Sequence, residues 1–227
     1  MASEQKSYDE GTTWIDERFL YEADYSFHNG CWEPSAIQLP NGEIQLFFAN
    51  EGDYLSSDEQ NISLLRSADN GLTWSKKREI VSFRSGSRDG MPSPILLQNG
   101  IDLVFSIEDN GYSNFKPYII RSTVANNWAS TVEATSPDKN YALIEPIADN
   151  IYAGAPFLRQ LKTGQTILSY QGTEGQTNSI DFAEMRVVIG DNQARNFTKK
   201  LFLLLLLQTS RDCGIALRYY QIIPSLL

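Results

Sequence analysis

The 227-residue chain contains one histidine, His28, and two cysteines, Cys31 and Cys213. One imidazole cannot build a histidine-rich zinc centre. A Ser-His-Asp triad would have to pass through His28, which has no nucleophile motif to serve, so it reads as a loop histidine. Two distant cysteines supply neither a disulfide framework nor a metal-binding spacing. Basic excess is missing too: 19 lysines and arginines stand against 28 acids, a net charge of −9. That balance disfavours nucleic acid or an anionic membrane as a partner through bulk electrostatics. The apolar run Leu201–Leu207 is seven residues long, against about 20 for a bilayer span. Met1 to Lys6 is polar and shows no secretory leader. What the chain has instead is glycine, 15 residues, and aromatic rings, 11%, a composition suited to strands joined by many turns.

The segment Ser7-Tyr8-Asp9-Glu10-Gly11-Thr12-Thr13-Trp14 returns 60 residues later as Ser67-Ala68-Asp69-Asn70-Gly71-Leu72-Thr73-Trp74. Both read S-x-D-x-G-x-T-W. The chemistry fits a tight hairpin turn. Asp9 and Asp69 can accept backbone amides within the turn, Gly11 and Gly71 can take positive φ, and Trp14 and Trp74 are expected to bury an apolar face beside it. A repeat of this length with strand-type spacing points to a propeller, one four-stranded unit per blade.

A second repeat marks the inner hairpins. Glu33-Pro34 through Asn41-Gly42 to Phe48, Met91-Pro92 through Asn99-Gly100 to Ser106, and Ala155-Pro156 through Thr163-Gly164 to Tyr170 each read strand, turn, strand. Proline and glycine are eight residues apart in all three, and Asn-Gly is the strongest short hairpin cue. The expected architecture is all-β: a partial six-bladed β-propeller of about three four-stranded blades, over 31–85, 88–135 and 152–200. Residues 136–151 read as a blade connection and 7–14 as the end of a preceding blade. From about Leu201 the strand-and-turn pattern gives way to leucines. Residues 201–227 read as a frameshifted or non-native tail, with 1–200 as the partial propeller.

In such a blade the ends of the first two strands gather at one mouth, opposite the Gly42 and Gly100 turns. That rim collects Trp32, Glu33, Glu51, Arg88, Asp89, Glu108, Asp109 and Tyr170. Two carboxylates with aromatic neighbours are what glycoside hydrolysis requires, one to protonate the leaving oxygen and one to attack or to activate water. Trp32 and Tyr170 are candidates for stacking on sugar faces. Arg88 is a donor to hydroxyls or a carboxylate, and Glu51 and Asp89 complete the binding set. The acidic loop of Glu51, Asp53, Asp58 and Glu59 matches no EF-hand spacing and reads as solvated.

The S-x-D-x-G-x-T-W copies resemble the Asp-boxes of the sialidase superfamily, where such turns are structural and peripheral. Cys31-Trp32-Glu33-Pro34 and Arg88-Asp89-Gly90-Met91-Pro92, followed by Phe105-Ser106-Ile107-Glu108, resemble segments of exo-arabinanase-type retaining glycosidases. The resemblance covers about residues 7–200. It implies a secreted or periplasmic exo-acting glycoside hydrolase whose partner is a glycan, with Glu33 as acid/base, Glu108 as nucleophile and no cofactor or metal. Two alternatives stand beside it. One is a sialidase proper, with Tyr170 and Glu174 as its pair and Arg88 and Arg121 as the arginines at hand. The other is an inactive carbohydrate-binding propeller fragment, whose exposed blade edges invite self-association.

Overall fold

The computed structural model describes residues 2–24, 29–111, 113–177 and 179–202. His28, Cys213 and all of the expected tail except Leu201 and Phe202 fall outside them. The described chain is a hairpin followed by three four-stranded antiparallel sheets. The hairpin joins β1 (Ala2–Lys6) to β2 (Ile15–Tyr21). The first sheet holds β3 (Cys31–Gln38), β4 (Ile44–Asn50), β5 (Asn61–Ser67) and β6 (Glu79–Ser82). The second holds β7 (Asp89–Leu96), β8 (Asp102–Asp109), β9 (Lys116–Thr123) and β10 (Lys139–Tyr141). The third holds β11 (Ala153–Gln160), β12 (Thr166–Gly172), β13 (Glu184–Gly190) and β14 (Thr198–Phe202). In each sheet the strands lie side by side in chain order.

Two details differ from the sequence reading. β10 lies inside 136–151, where only a connection was expected, and pairs with β9 from Lys139↔Ile120 to Tyr141↔Tyr118. β14 runs through Leu201, which pairs with Val187, so the expected tail boundary falls within a strand.

The inner hairpins are close copies. Gly42, Gly100 and Gly164 take φ of +90°, +68° and +91°. Each donates its N–H to the residue three back, Leu39, Leu97 or Leu161, at 2.9 Å. Only glycine adopts such angles without strain. A second shared device sits at the opposite end. Each first strand is bulged near its start, and the bulge residue before the proline has positive φ: Glu33 (57°), Met91 (54°) and Ala155 (49°).

The motif turns also match. Ser7 Oγ accepts Gly11 N–H at 2.7 Å and Ser67 Oγ accepts Gly71 N–H at 2.8 Å. Asp9 accepts the Thr13 amide and hydroxyl at 2.8 and 2.7 Å; Asp69 accepts both groups of Thr73 at 2.7 Å. The tryptophans depart from expectation. Trp14 is 60% exposed and Trp74 half-buried. The buried indole is Trp128, at the end of the second sheet's degenerate turn. It packs on Phe47 and Phe105, with ring centroids 5.7 and 5.1 Å away, and donates Nε1–H to Gln45 at 3.1 Å. Trp128 thus joins its own sheet to the preceding one.

The core lies between sheets. Alternation along β8 sends Leu103, Phe105 and Ile107 towards the first sheet and Val104 towards the third. Burying each such large side chain contributes roughly 1.5–3 kcal/mol. Polar latches run along the same seams. Arg66, just before one turn, donates to the Asn127 carbonyl of the next sheet's turn at 2.7 Å. Arg121, in the equivalent place, donates to Gln193 O at 2.7 Å and to Ala194 O.

Candidate active site

The bulges bring the two glutamates together. Glu33, the bulge residue of β3, is exposed as a residue. Its carboxylate nevertheless reaches into the second sheet, where Oε2 accepts the Met91 N–H at 2.6 Å. Glu108 pairs with Gly90 in the β7–β8 ladder, and its Oε2 accepts the Ala155 N–H at 2.7 Å. Each acid therefore takes a hydrogen bond from the bulge of the following sheet. Gly90 separates them. A Cβ there would lie 3.1 Å from Glu33 Oε2 and 3.4 Å from Glu108 Cγ. Glu33 Oε2 and Glu108 Cγ thus lie no more than ~6.5 Å apart, close enough for both acids to face one bound unit.

Around them is a cavity of about 240 Å³ lined by Trp32, Glu33, Glu51, Arg88 and Glu108, with Gln60 and Phe115 completing the wall. Arg88 is fixed from two sides, by an ion pair with Glu51 and a 3.0 Å bond to Gln60 Oε1. Glu51 is 3% exposed and also accepts the Gly30 N–H at 3.2 Å. It is a buried support for Arg88, not part of a solvated loop. Gln60 in turn donates to Asp89 O at 2.7 Å.

Burial raises the pKa of both acids. For Glu108, burial is the leading cause, helped by the charge of Glu33 and opposed by the Ala155 N–H and Arg88, and the value reaches about 7. For Glu33, burial of the carboxyl group also leads. It is opposed by the Met91 N–H and Arg88, with Glu51 adding a small upward push. Glu33's mean exposure does not conflict with this, because the head group is what is crowded, against Gly90 and Met91. A carboxyl group near pKa 7 is still protonated when a substrate needs a proton. The larger shift makes Glu108 the more readily protonated of the two, whereas the family resemblance gives the proton-donor role to Glu33.

Three candidates are corrected. Asp89 is fully buried and faces away from the cavity. Its carboxylate is held by Ser82 at 2.9 Å, Arg84 at 2.9 Å and Lys139 at 3.3 Å. Arg84 and Lys139 also bind Asp109, at 2.6 and 2.8 Å. Asp89 and Asp109 thus belong to a four-charge cluster that holds the second sheet together. Tyr170 is 1% exposed, inside the core between the second and third sheets, and cannot stack on a sugar. Its hydroxyl does donate to Glu174, at 2.8 Å, so the Tyr-Glu pair forms. Burial and the Glu174 charge raise the phenol pKa, the wrong direction for a nucleophilic phenolate. Arg121 is occupied by Gln193 and Ala194, away from the acids.

The sequence reading missed Gln60 and Phe115. Each immediately precedes a third strand, β5 or β9. Antiparallel order starts third strands at the same rim where second strands end, so topology alone could have found both. Among the described residues, no group of three or more His, Cys, Asp or Glu side chains could hold a metal ion.

No family model matches the chain, and no curated protein matches it in sequence. Solved structures do match in fold. The α-L-arabinofuranosidase of Fusarium graminearum, in complex with arabinobiose, aligns with a TM-score of 0.59 and 18% identity, over 88% of this chain and 56% of its own. The α-L-arabinanase of Penicillium chrysogenum, also complexed with arabinobiose, gives 0.59 and 17%, over 88% and 58%. A Hadza microbial sialidase gives 0.59 and 19%, over 86% and 39%. The chain thus spans just over half the length of the arabinofuranosidase and the arabinanase. By fold, the chain is all-β and matches part of the propellers of the arabinofuranosidase, the arabinanase and the sialidase.

Proposed function

We propose that this is a glycoside hydrolase that removes a terminal unit from a glycan with retention of configuration. In this reading Glu108 is the general acid/base and Glu33 the nucleophile. The single supporting observation is the pair of carboxyl groups held side by side across Gly90, each on a backbone N–H of the next sheet, at one small cavity. Glu108 would protonate the glycosidic oxygen as Glu33 attacks the anomeric carbon, then deprotonate the water that releases the sugar. Trp32 and Phe115 give the sugar apolar faces, and Arg88 presents donors already aligned by Glu51 and Gln60. The cavity's small volume suits the end of a glycan, hence exo action. In this reading the whole protein acts outside the cell or in the periplasm, where such glycans are met.

The lining favours a neutral sugar over sialic acid. Even with Glu108 protonated, Glu33 leaves a negative charge in the lining, because Glu51 already neutralises Arg88. An anionic sugar would meet net repulsion. The non-enzymatic alternative predicts binding without turnover.

The test is a panel of aryl glycosides, including α-L-arabinofuranoside and a sialoside, together with linear arabinan. Products are followed by NMR, which also reads the anomer first released. Turnover of a neutral glycoside with retention, reduced ~100-fold or more in both Glu33→Gln and Glu108→Gln, supports the reading. Turnover that survives either substitution would remove that residue from its role. Sialoside turnover alone, or no turnover at all, would overturn the proposal.

A further inference from the structure

Four residues before Pro34, Pro92 and Pro156 stand Gly30, Arg88 and Tyr152. The second sheet places Arg88 in the cavity wall from this position. The third sheet puts a tyrosine there.

Tyr152 is held firmly. Its N–H donates to Thr173 Oγ1 at 3.2 Å and its carbonyl accepts the Thr173 N–H at 3.0 Å. Thr173 is fully buried. The preceding carbonyl, of Ile151, accepts the buried ammonium of Lys116 at 2.6 Å. The following amide, of Ala153, donates to Phe115 O at 3.1 Å. The ring meets Phe115 edge-on, with centroids 6.4 Å apart, and Phe115 lines the cavity.

The hydroxyl ends beside the acid. A Cβ on Gly154 would lie 2.5 Å from Tyr152 Oη and 2.8 Å from Glu108 Oε2. The two oxygens are therefore no more than ~5.3 Å apart, a separation that one hydrogen-bonding water spans. Gly154 is not in the left-handed region, so its backbone does not demand glycine. The space between these two oxygens does.

We infer that Tyr152 is a positioning residue for Glu108: its hydroxyl, brought to the carboxylate through the gap at Gly154, fixes the direction in which that acid presents its proton. The inference rests on the proposed role of Glu108, but its geometry does not depend on turnover. The other charges facing Glu108 are Glu33 from β3 and Arg88 from the start of β7. Lys116, on the adjacent strand, has its ammonium turned onto backbone carbonyls. A phenol donating to a carboxylate favours the ionised form, so deleting the hydroxyl raises the pKa of Glu108.

The experiment is a carbon-13 NMR titration of the glutamate carboxyl groups in the full 227-residue chain, with Glu108 assigned from the spectrum of Glu108→Gln. The variants are Tyr152→Phe, which removes one atom, and Gly154→Ala, which keeps the hydroxyl but fills its approach. The Glu108 midpoint is expected to rise by ~0.5 unit or more in each, and no further in the double variant. An unchanged midpoint in Tyr152→Phe, or a fall in either, overturns the inference. If the protein proves not to be a glycosidase, the titration still reads the contact, so the two failures are distinguishable.

Discussion

Glu33 and Met91 meet across the seam between the first and second sheets, the carboxylate of one accepting the backbone N–H of the other at 2.6 Å. Glu108 and Ala155 repeat the relation one seam on, at 2.7 Å. Both donors are bulge residues with positive φ that precede a proline. A left-handed residue in that place turns its N–H out of the sheet's own ladder, free to bond a side chain from the neighbouring sheet. The same backbone irregularity therefore supplies one acid (Glu33 itself) and the anchors of both.

The raised pKa of Glu108 gives stability a pH dependence. Its folded value, about 7, lies above the unfolded value of about 4.3. The folded state thus holds the proton more tightly. Stability is fully present below the unfolded value and is lost as pH rises through the folded one. Between about pH 4.3 and 7 the loss is of order 2–3 kcal/mol. Thermal melts of the native chain should fall across that window relative to Glu108→Gln. Parallel pH profiles for the two proteins would refute the assignment.

Asp89 tests structure against binding. Removing its carboxylate, as in Asp89→Ala, leaves Arg84 and Lys139 buried with Asp109 as their shared remaining partner. Breaking a buried pair in this way costs about 3–5 kcal/mol. Denaturant unfolding should show that loss. In whatever fraction remains folded, KM for a turned-over glycoside should stay near its native value. A raised KM without lost stability would restore Asp89 to the binding set.

The seam latch makes a graded prediction. Arg66 bonds Glu43 and Glu79, each at 2.7 Å, as well as Asn127 of the next sheet. Arg66→Ala should cost about 2 kcal/mol by chemical denaturation. Arg66→Lys should recover only part of it, because an ammonium cannot reproduce the forked donation to Glu79 and Asn127. Equal stability of the lysine and native proteins would show that charge alone suffices.

The motif turns should respond to acid. Hydrogen bonds to the Thr73 hydroxyl and amide lower the Asp69 pKa to about 2. A depressed carboxylate stabilises the fold above its unfolded pKa, and that contribution is lost as pH falls through the folded value. Asp69→Ala should melt below the native chain at pH 7, and the gap should close between about pH 4 and 2. A gap that stays constant to pH 2 would point to packing as the cause.

Much of the fold was legible because its signals are local. Asn41-Gly42, Asn99-Gly100 and the two S-x-D-x-G-x-T-W segments carry their turn geometry in adjacent residues, so spacing alone set the hairpins. β10 was missed because Lys139, Asn140 and Tyr141 form a three-residue strand held only by distant pairing to β9. At the site, proximity to the rim found Trp32, Glu33, Glu51, Arg88 and Glu108. It failed for Asp89 and Tyr170, because neighbours along a strand point to opposite faces. Gly90 and Glu108 form one ladder pair at the cavity. Asp89 and Asp109, the next pair, turn away to meet Arg84 and Lys139. Which glutamate keeps its proton depends on burial, and no spacing encodes that.

The cross-seam anchoring makes the two acids a gauge of how the wedges are stacked. Neither glutamate is held by its own sheet, so a slight splaying of adjacent wedges would pull the carboxyl groups off their amides while every ladder stayed intact. Chemistry would then fail ahead of unfolding, and any ligand that clamps the wedges together would act on the site without touching it.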